Sequence, residues 1–209
     1  MDAIVTIHIG TQINKYVEAS MKSAATRWGT ELFIITDNPS QFHPAYVKLL
    51  VFDLVPADRI LLLDSDTLIT NNSPNPFELY SNLGVVDGAP KRLINYYGIK
   101  EHINRELSIF NENVNFYFNS GVMLINRKDH ESCFDYARYL YRDDLEWHDQ
   151  TPLNIALKSC QMDILDETWN FIPQTSNELD KFIYHFAGYE NKNEHINFYA
   201  KKLDINCIN

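Results

Sequence analysis

The apolar positions of this chain change period several times, and each change marks an element. Ala3–Ile9 is a short run rich in β-branched residues and predicts a buried strand. From Ile13 the apolar residues fall at helical spacing (Ile13, Tyr16, Val17, Met21, Ala24, Trp28), and Gly29 is placed to end that helix. Glu31–Thr36 predicts a second strand, closed by the turn signal Asp37-Asn38-Pro39. Tyr46–Leu54 reads as a helix that stops before Pro56, and Arg59–Leu63 as a third buried strand. Leu83–Asp87 predicts a fourth strand. Phe116–Phe118 and Val122–Ile125 predict two more, flanking Asn119-Ser120-Gly121. Asp129–Tyr141 and Pro152–Cys160 read as helices, the second opened by Thr151 as N-cap with Pro152 at the first helical position. Weak periodicity over residues 91–113 predicts an irregular stretch or mobile flap, and the last quarter of the chain is less regular.

The β-α-β-α-β order of the first third predicts an α/β fold, a mostly parallel sheet with helices on both faces. At 209 residues a single domain spanning 1–209 is expected. Such a chain buries roughly 70% of its unfolded surface and needs no disulfide scaffold. Its three cysteines, Cys133, Cys160 and Cys207, are odd in number and lack paired or zinc-type spacing, which suits a reducing compartment. The first residues lack the basic start and apolar core of a signal peptide, and no apolar run nears the ~20 residues of a membrane span. A soluble, cytoplasmic protein is the expectation. Charge narrows the partners: 18 Lys plus Arg against 28 Asp plus Glu leaves −10, which disfavours nucleic acid. An anionic small ligand would need a local cation.

The most informative stretch is Arg59-Ile-Leu-Leu-Leu-Asp64-Ser65-Asp66. A buried strand runs into two carboxylates separated by one small residue. Ligands of open α/β sheets bind beyond the carboxyl ends of the strands, where these acids lie. A slight turn at Ser65 lets Asp64 and Asp66 grip one hard divalent cation. Asp-x-Asp alone is a weak motif, equally at home in a turn.

The surrounding residues sharpen it. Lys48, the run ending in Asp64-Ser65-Asp66, Phe118-Asn119-Ser120-Gly121-Val122-Met123-Leu124-Ile125-Asn126, Asp149-Gln150-Thr151-Pro152-Leu153-Asn154, Trp169-Asn170 and His185-Phe186-Ala187-Gly188 occur in that order. Together they resemble the GT-A-fold retaining glycosyltransferases of the glycogenin and lipopolysaccharide galactosyltransferase type, over roughly residues 3 to 190. The resemblance implies a Rossmann-like nucleotide-diphospho-sugar transferase fold. Its nucleotide-sugar half would span about 1–90 and its acceptor and metal-completing half about 91–209. It further implies that Asp64, Asp66 and His185 bind Mn²⁺ (or Mg²⁺), which holds the diphosphate of a UDP-sugar donor beside Ser65. Ile7, His8, Ile9 and Thr11 would hold the base, and Lys48 would reach the phosphate or sugar. Asp87, Asn119, Ser120 and Gly121 would contact the sugar; Asn119-Ser120-Gly121 alternatively make a tight turn between two strands. Asp149 would bind sugar hydroxyls, and Gln150 would sit beside the anomeric carbon.

Because Gln is a poor nucleophile, a front-face mechanism is at least as compatible with Gln150 as a covalent glycosyl-enzyme. The family follows its metal histidine and glycine with Lys-Pro-Trp, whereas Gly188 here precedes Tyr189-Glu190-Asn191-Lys192. Either Lys192 takes the phosphate role in a changed loop, or that clamp is missing. The implied activity is metal-dependent transfer of a hexose-type sugar to a glycan or glycoprotein acceptor with retention. Tyr96, Tyr97 and Phe110 suggest either an acceptor wall or ordinary packing. The length approaches a bare transferase core, a free-standing enzyme or the catalytic module of a longer polypeptide. A haloacid-dehalogenase-type phosphohydrolase fits less well, because its Asp-x-Asp follows the first strand and position 68 here is Leu. A nucleotidyltransferase would need a Gly-rich loop where only Gly10 stands. A nucleotide-sugar-binding module without transferase activity is the remaining alternative.

Overall fold

A computed structural model describes residues 1–87, 99–173 and 178–207. In chain order the elements are β1 (Asp2–Ile7), α1 (Lys15–Trp28), β2 (Glu31–Ile35), a 3₁₀ helix (Pro44–Leu50) continuing into the short α2 (Val51–Leu54), β3 (Arg59–Asp64), β4 (Thr67–Ile69), α3 (Pro76–Leu79) and β5 (Leu83–Asp87). Then follow α4 (Ile99–Ile109), β6 (Phe118–Asn126), α5 (Arg127–Leu140), α6 (Gln150–Ala156), β7 (Met162–Leu165), a 3₁₀ turn (Glu167–Trp169), β8 (Ile183–His185) and α7 (Lys192–Lys202).

The expected α/β architecture is present. Six strands lie in the order β2-β1-β3-β6-β5-β7, and only β6 runs against the others. Side chains alternate across the sheet, as an extended backbone requires. Ala3, Val5, Ile60, Leu62, Met123 and Ile125 pack on one face with Phe52 of α2, Phe134 of α5 and Leu153 of α6. Ile4, Leu61, Leu63, Val122 and Leu124 pack on the other with α1, α7 and a two-stranded sheet of β4 and β8. Both faces are buried, which is why the strands read as continuous apolar runs. Helix α1 ends where its sequence predicts, at Gly29, which takes the left-handed conformation at φ +65°; at its start Asn14 caps the Tyr16 N–H. Among the described residues no helix is long and apolar enough to cross a membrane.

Several expectations are corrected. Of the two strands predicted around Asn119-Ser120-Gly121, Phe116 and Tyr117 lie outside any strand, and Phe118 through Ile125 belong to one nine-residue strand, β6, with no turn in it. Polar side chains do not interrupt it because β6 overhangs the end of β3, whose last partner is Val122, and they find partners in the open space there. The helix expected at Tyr46–Leu54 is 3₁₀ up to Leu50, with Pro44 at its start. Strand β1 stops at Ile7, although the His8 N–H still reaches the Ile35 carbonyl at 2.8 Å. The helix expected from Pro152 to Cys160 instead spans Gln150–Ala156. Within the stretch expected to be irregular, residues 99–109 form α4. Its buried residues include the charged Glu106 beside Leu107. Tyr96 and Tyr97 lie outside the described residues. Strands β4, β7 and β8 and helix α7 have no counterpart in the sequence pattern.

Candidate functional site

A cleft of about 510 Å³ opens beyond the carboxyl ends of β1 and β3. Ile7, His8, Ile9 and Thr11 line one side, where Gly10 turns the chain at φ +105°. Lys48, from the 3₁₀ helix, and Asp149, from the start of α6, line another, and Asp64-Ser65-Asp66 form its floor. Lys192, Asn193 and Ile196 of α7 close the remaining side. The ordinary rule for open α/β sheets thus places the cleft where the acidic pair was expected.

His185 comes from the small second sheet. Thr67 of β4 pairs with His185 of β8, and the Phe186 N–H donates to the Asp66 carbonyl at 3.0 Å. This pairing brings the imidazole to the acidic turn across more than a hundred residues of chain. One ligand atom from each of Asp64, Asp66 and His185 lies within 4.8 Å of the others. His185 Nε2 is 3.5 Å from Asp64 Oδ2 and 3.3 Å from Asp66 Oδ1. Two carboxylates and an imidazole form a donor set suited to a hard or borderline divalent cation such as Mg²⁺ or Mn²⁺.

The electrostatics point the same way. Lys48 is buried, with its ammonium 2.6 Å from Asp64 and 2.9 Å from Asp149. Burial opposes its charge, but Asp149 and Asp64 outweigh burial and hold Lys48 above its usual range. Asp64 is held well below the carboxylate range: desolvation is overcome by Lys48 and His185. Asp66 is lowered too, with desolvation overcome by His185 and, to a lesser extent, Lys192, whose ammonium lies 2.6 Å away. Burial disfavours the imidazolium of His185, yet Asp66 and Asp64 push it up to about 9. Both carboxylates are thus ionised, and the site draws positive charge from every side chain that can reach it.

Behind the imidazole runs a chain of amides whose orientation starts at the main chain. The Gly121 N–H donates to Asn119 Oδ1 at 2.9 Å, so that atom is an acceptor. The same oxygen accepts from Asn170 Nδ2 at 2.9 Å. Asn170 Oδ1 therefore faces His185 Nδ1, also at 2.9 Å, and keeps Nδ1 protonated in the charged ring and in the neutral ring a metal would require. Nε2 is left to face the carboxylates. Asn119 Nδ2 and the Ser120 N–H both donate to Gln150 Oε1 at 3.1 Å. The Ser120 hydroxyl donates to Asp149 at 2.9 Å. The group approaching Gly121 is the His185 imidazole itself: a Cβ there would overlap its Cε1 and lie 2.7 Å from Nδ1 and 2.8 Å from Nε2.

The structure therefore brings Lys48, Asp64, Asp66, Asn119, Ser120, Gly121, Asp149, Gln150, His185 and Lys192 into one connected cluster. Gly188 lies at the turn after β8 at φ +76°, with open space where a Cβ would be. Asp87 ends β5 opposite Phe118; its side chain is outside what is described. Asn170 is the member for which sequence gave no role. Its only signal is its place after Trp169 within the ordered motifs.

Over residues 10–203 the chain matches the model of a family described as glycosyl transferase family 8. No curated protein matches it. Among solved structures it resembles a glycosyltransferase involved in glycosylation of the major capsid of PBCV-1, with TM-score 0.64 and 14% identity over 94% of this chain and 98% of that one. It likewise resembles the galactosyltransferase LgtC in complex with donor and acceptor sugar analogs, with TM-score 0.64 and 20% identity over 97% and 96% of the two chains. The glycosyltransferase GlyE of Streptococcus pneumoniae TIGR4 gives TM-score 0.58 and 22% identity, covering 95% of this chain and 59% of that one. At these identities the likeness is one of fold, the GT-A fold that the motifs implied.

Proposed function

This chain belongs to glycosyl transferase family 8 and is a glycosyltransferase, and from that premise we propose that it transfers a hexose from a UDP-sugar to a glycan or glycoprotein acceptor with retention of configuration. The observation that carries the reading is the convergence of Asp64, Asp66 and His185 on one point of the cleft floor. These three residues would hold Mn²⁺ or Mg²⁺. Such an ion supplies Lewis-acid stabilisation of the charge that develops on a leaving diphosphate.

The chain's own side chains have definable tasks. Lys48 places a buried positive charge between Asp64 and Asp149, next to where a donor's phosphate or sugar would lie. Lys192 is half-exposed at the first turn of α7 and can leave Asp66 to meet the diphosphate. In this reading it takes the clamp role although Pro-Trp is missing after it. Ile7, His8, Ile9 and Thr11 form the wall for uracil. Asp149, tied to Ser120 and Lys48, presents its carboxylate to sugar hydroxyls. Gln150 Oε1 already accepts two N–H bonds, which occupy both of its lone pairs. That leaves no lone pair to attack carbon and favours the front-face mechanism, with Gln150 acting as a fixed dipole.

The test is release of UDP from a panel of UDP-sugars with Mn²⁺, with and without chelator, for the wild type, Asp64→Asn and His185→Ala. Metal-dependent release in the wild type and its loss in both variants are expected. Full activity of both variants in chelator would overturn the metal assignment. Tight UDP binding with no turnover on any donor or acceptor would identify a nucleotide-sugar-binding module instead.

A further inference from the structure

The buried carboxylate of Glu106 belongs to none of the machinery above. It is 3% exposed and projects from α4. Its Oε1 accepts the backbone N–H of Glu146 at 2.7 Å and that of Trp147 at 3.2 Å. Its Oε2 accepts the Thr151 hydroxyl, whose oxygen also lies 2.7 Å from the Tyr117 hydroxyl. A carboxylate is expensive to bury; among the described residues no Lys or Arg pairs with this one, and the nearest basic group is the His102 imidazole, its Nε2 3.7 Å from Oε1. Its hydrogen bonds come from two main-chain donors and one hydroxyl, and these three bracket Asp149 and Gln150 in sequence.

Glu106 shares the bracketed turn with the Gln150 N–H bond to the Trp147 carbonyl at 2.8 Å, the stacking of His148 on His43, and the contacts of Trp147 with His102 and Tyr117. His148 sits at φ +39°, in the left-handed region. The His148 N–H reaches the Leu145 carbonyl only at 3.4 Å, and Asp149 makes no side-chain cap to α6. The Asp149 carboxylate is committed to Lys48 and Ser120, and the Gln150 amide to Asn119 and Ser120. Those contacts need the backbone at 149 and 150 in one place, and Glu106 ties it down on both sides.

We propose that Glu106 is a positioning residue for the transfer reaction: it clamps the turn 145–149 and Thr151 to α4, and so sets the placement of Asp149 and Gln150 at the donor sugar. The assignment rests on the transferase reading of those two residues. It requires acceptor atoms rather than charge, so a glutamine can serve. The glutamine oxygen accepts both N–H bonds, and its amide donates to the Thr151 oxygen.

The experiment compares full-chain Glu106→Ala, Glu106→Gln and Thr151→Val with the wild type in three measurements. These are hydrogen exchange of the Glu146 and Trp147 amides, kcat and KM for UDP release, and Kd for UDP with Mn²⁺. Misplacement of reacting groups by an ångström costs up to about a hundredfold, so Glu106→Ala is expected to lower kcat by at least about tenfold. Its two amides should exchange at least about tenfold faster. Kd for UDP with Mn²⁺ should stay within about twofold, because Asp64, Asp66 and His185 belong to other elements. Glu106→Gln should restore both readouts to within about threefold of the wild type. Native exchange and kcat in Glu106→Ala would overturn the proposal, as would a glutamine variant as impaired as the alanine one. A parallel loss of UDP affinity would mean a general structural role and would also overturn it. Should Glu106→Ala fail to fold, Thr151→Val removes one leg of the clamp without changing volume; it must lower kcat, and no change would refute the clamp. If the wild type turns over no donor, the transferase reading fails, while the exchange rates still decide whether Glu106 holds the turn.

Discussion

Gly121→Ala adds one methyl group at the centre of the site, and its consequence can be worked from the geometry. Gly121 is not at positive φ, so alanine fits the backbone and would ordinarily be neutral or stabilising by up to about 1 kcal/mol. The new Cβ, however, would lie 2.7 and 2.8 Å from the two ring nitrogens of His185. The Cε1 atom between those nitrogens would be closer still, so relieving the overlap to an ordinary contact of about 3.4 Å moves one group by more than about 1 Å. Strand β6 cannot yield easily, because from Val122 onward it is paired with β3 and the Gly121 N–H is bonded to Asn119 Oδ1. The imidazole is 2% exposed and bonded to Asn170, so it is the part displaced. Overpacking of this kind costs about 1–3 kcal/mol, a fall in Tm of roughly 2–12 °C for a chain of this size. Metal ligands tolerate only about 0.2 Å of misplacement. Mn²⁺ affinity should therefore fall by about 10–100-fold, as it does when a metal ligand loses its orientation. Isothermal titration with Mn²⁺ and thermal melts would be run on Gly121→Ala, His185→Ala and the double variant. Once the ring is gone, the added methyl should cost little or nothing. Unchanged Mn²⁺ affinity in Gly121→Ala, or an equal stability loss in the His185→Ala background, would refute the collision as the cause.

Asn170→Ala removes the acceptor that fixes the His185 tautomer, and Mn²⁺ affinity measured by titration should fall about 10–100-fold with Tm little changed. Mn²⁺ at a hundred times its Kd should stabilise the wild type by about 2.7 kcal/mol, a rise in Tm of roughly 5–11 °C. Chelator should abolish that shift, and Asp66→Asn should lack it. His130 is buried and its Nδ1 accepts the Asn126 N–H at 2.9 Å, which requires a neutral ring. Burial lowers its pKa below the ordinary 6.5, against a smaller opposing pull from Asp129, so the unfolded chain takes the proton first. Its contribution to stability is therefore full above pH 6.5 and is lost as pH falls through the folded-state value. Melting curves between pH 5 and 7.5 should show a downward slope in acid that His130→Gln reduces; equal slopes would dismiss this source.

How much of the site was legible follows from how each residue is held. Asp64 and Asp66 stood out because they close a buried strand, and a strand end is visible as a change in period. Lys48 and Asp149 could be named from the order of motifs, but not their pairing with each other or with Ser120. Asn119-Ser120-Gly121 admitted a turn, because polar residues in a run commonly signal one; the strand continues because their partners come from α6. Glu106 carried no signal at all. A buried glutamate within a helix looks like any surface glutamate until the backbone groups that satisfy it are in place. The same is true of Cys133 and Cys160, whose thiols approach to 3.7 Å with no hint in their spacing.

The sequence by itself determined the elements whose side chains alternate or recur locally: the strands β1, β2, β3 and β5, helix α1 with its closing glycine, and the placement of an acidic pair at the sheet's ligand edge. Only the tertiary structure decided what completes the pair. The β4–β8 ladder delivers His185, the amides of Asn119 and Asn170 turn its ring, and Glu106 holds the turn before α6. Each of these depends on hydrogen bonds between residues 15 to more than 100 positions apart. Such bonds leave no period in the chain, because their geometry exists only after the apolar faces have packed and brought the donors and acceptors out of water together.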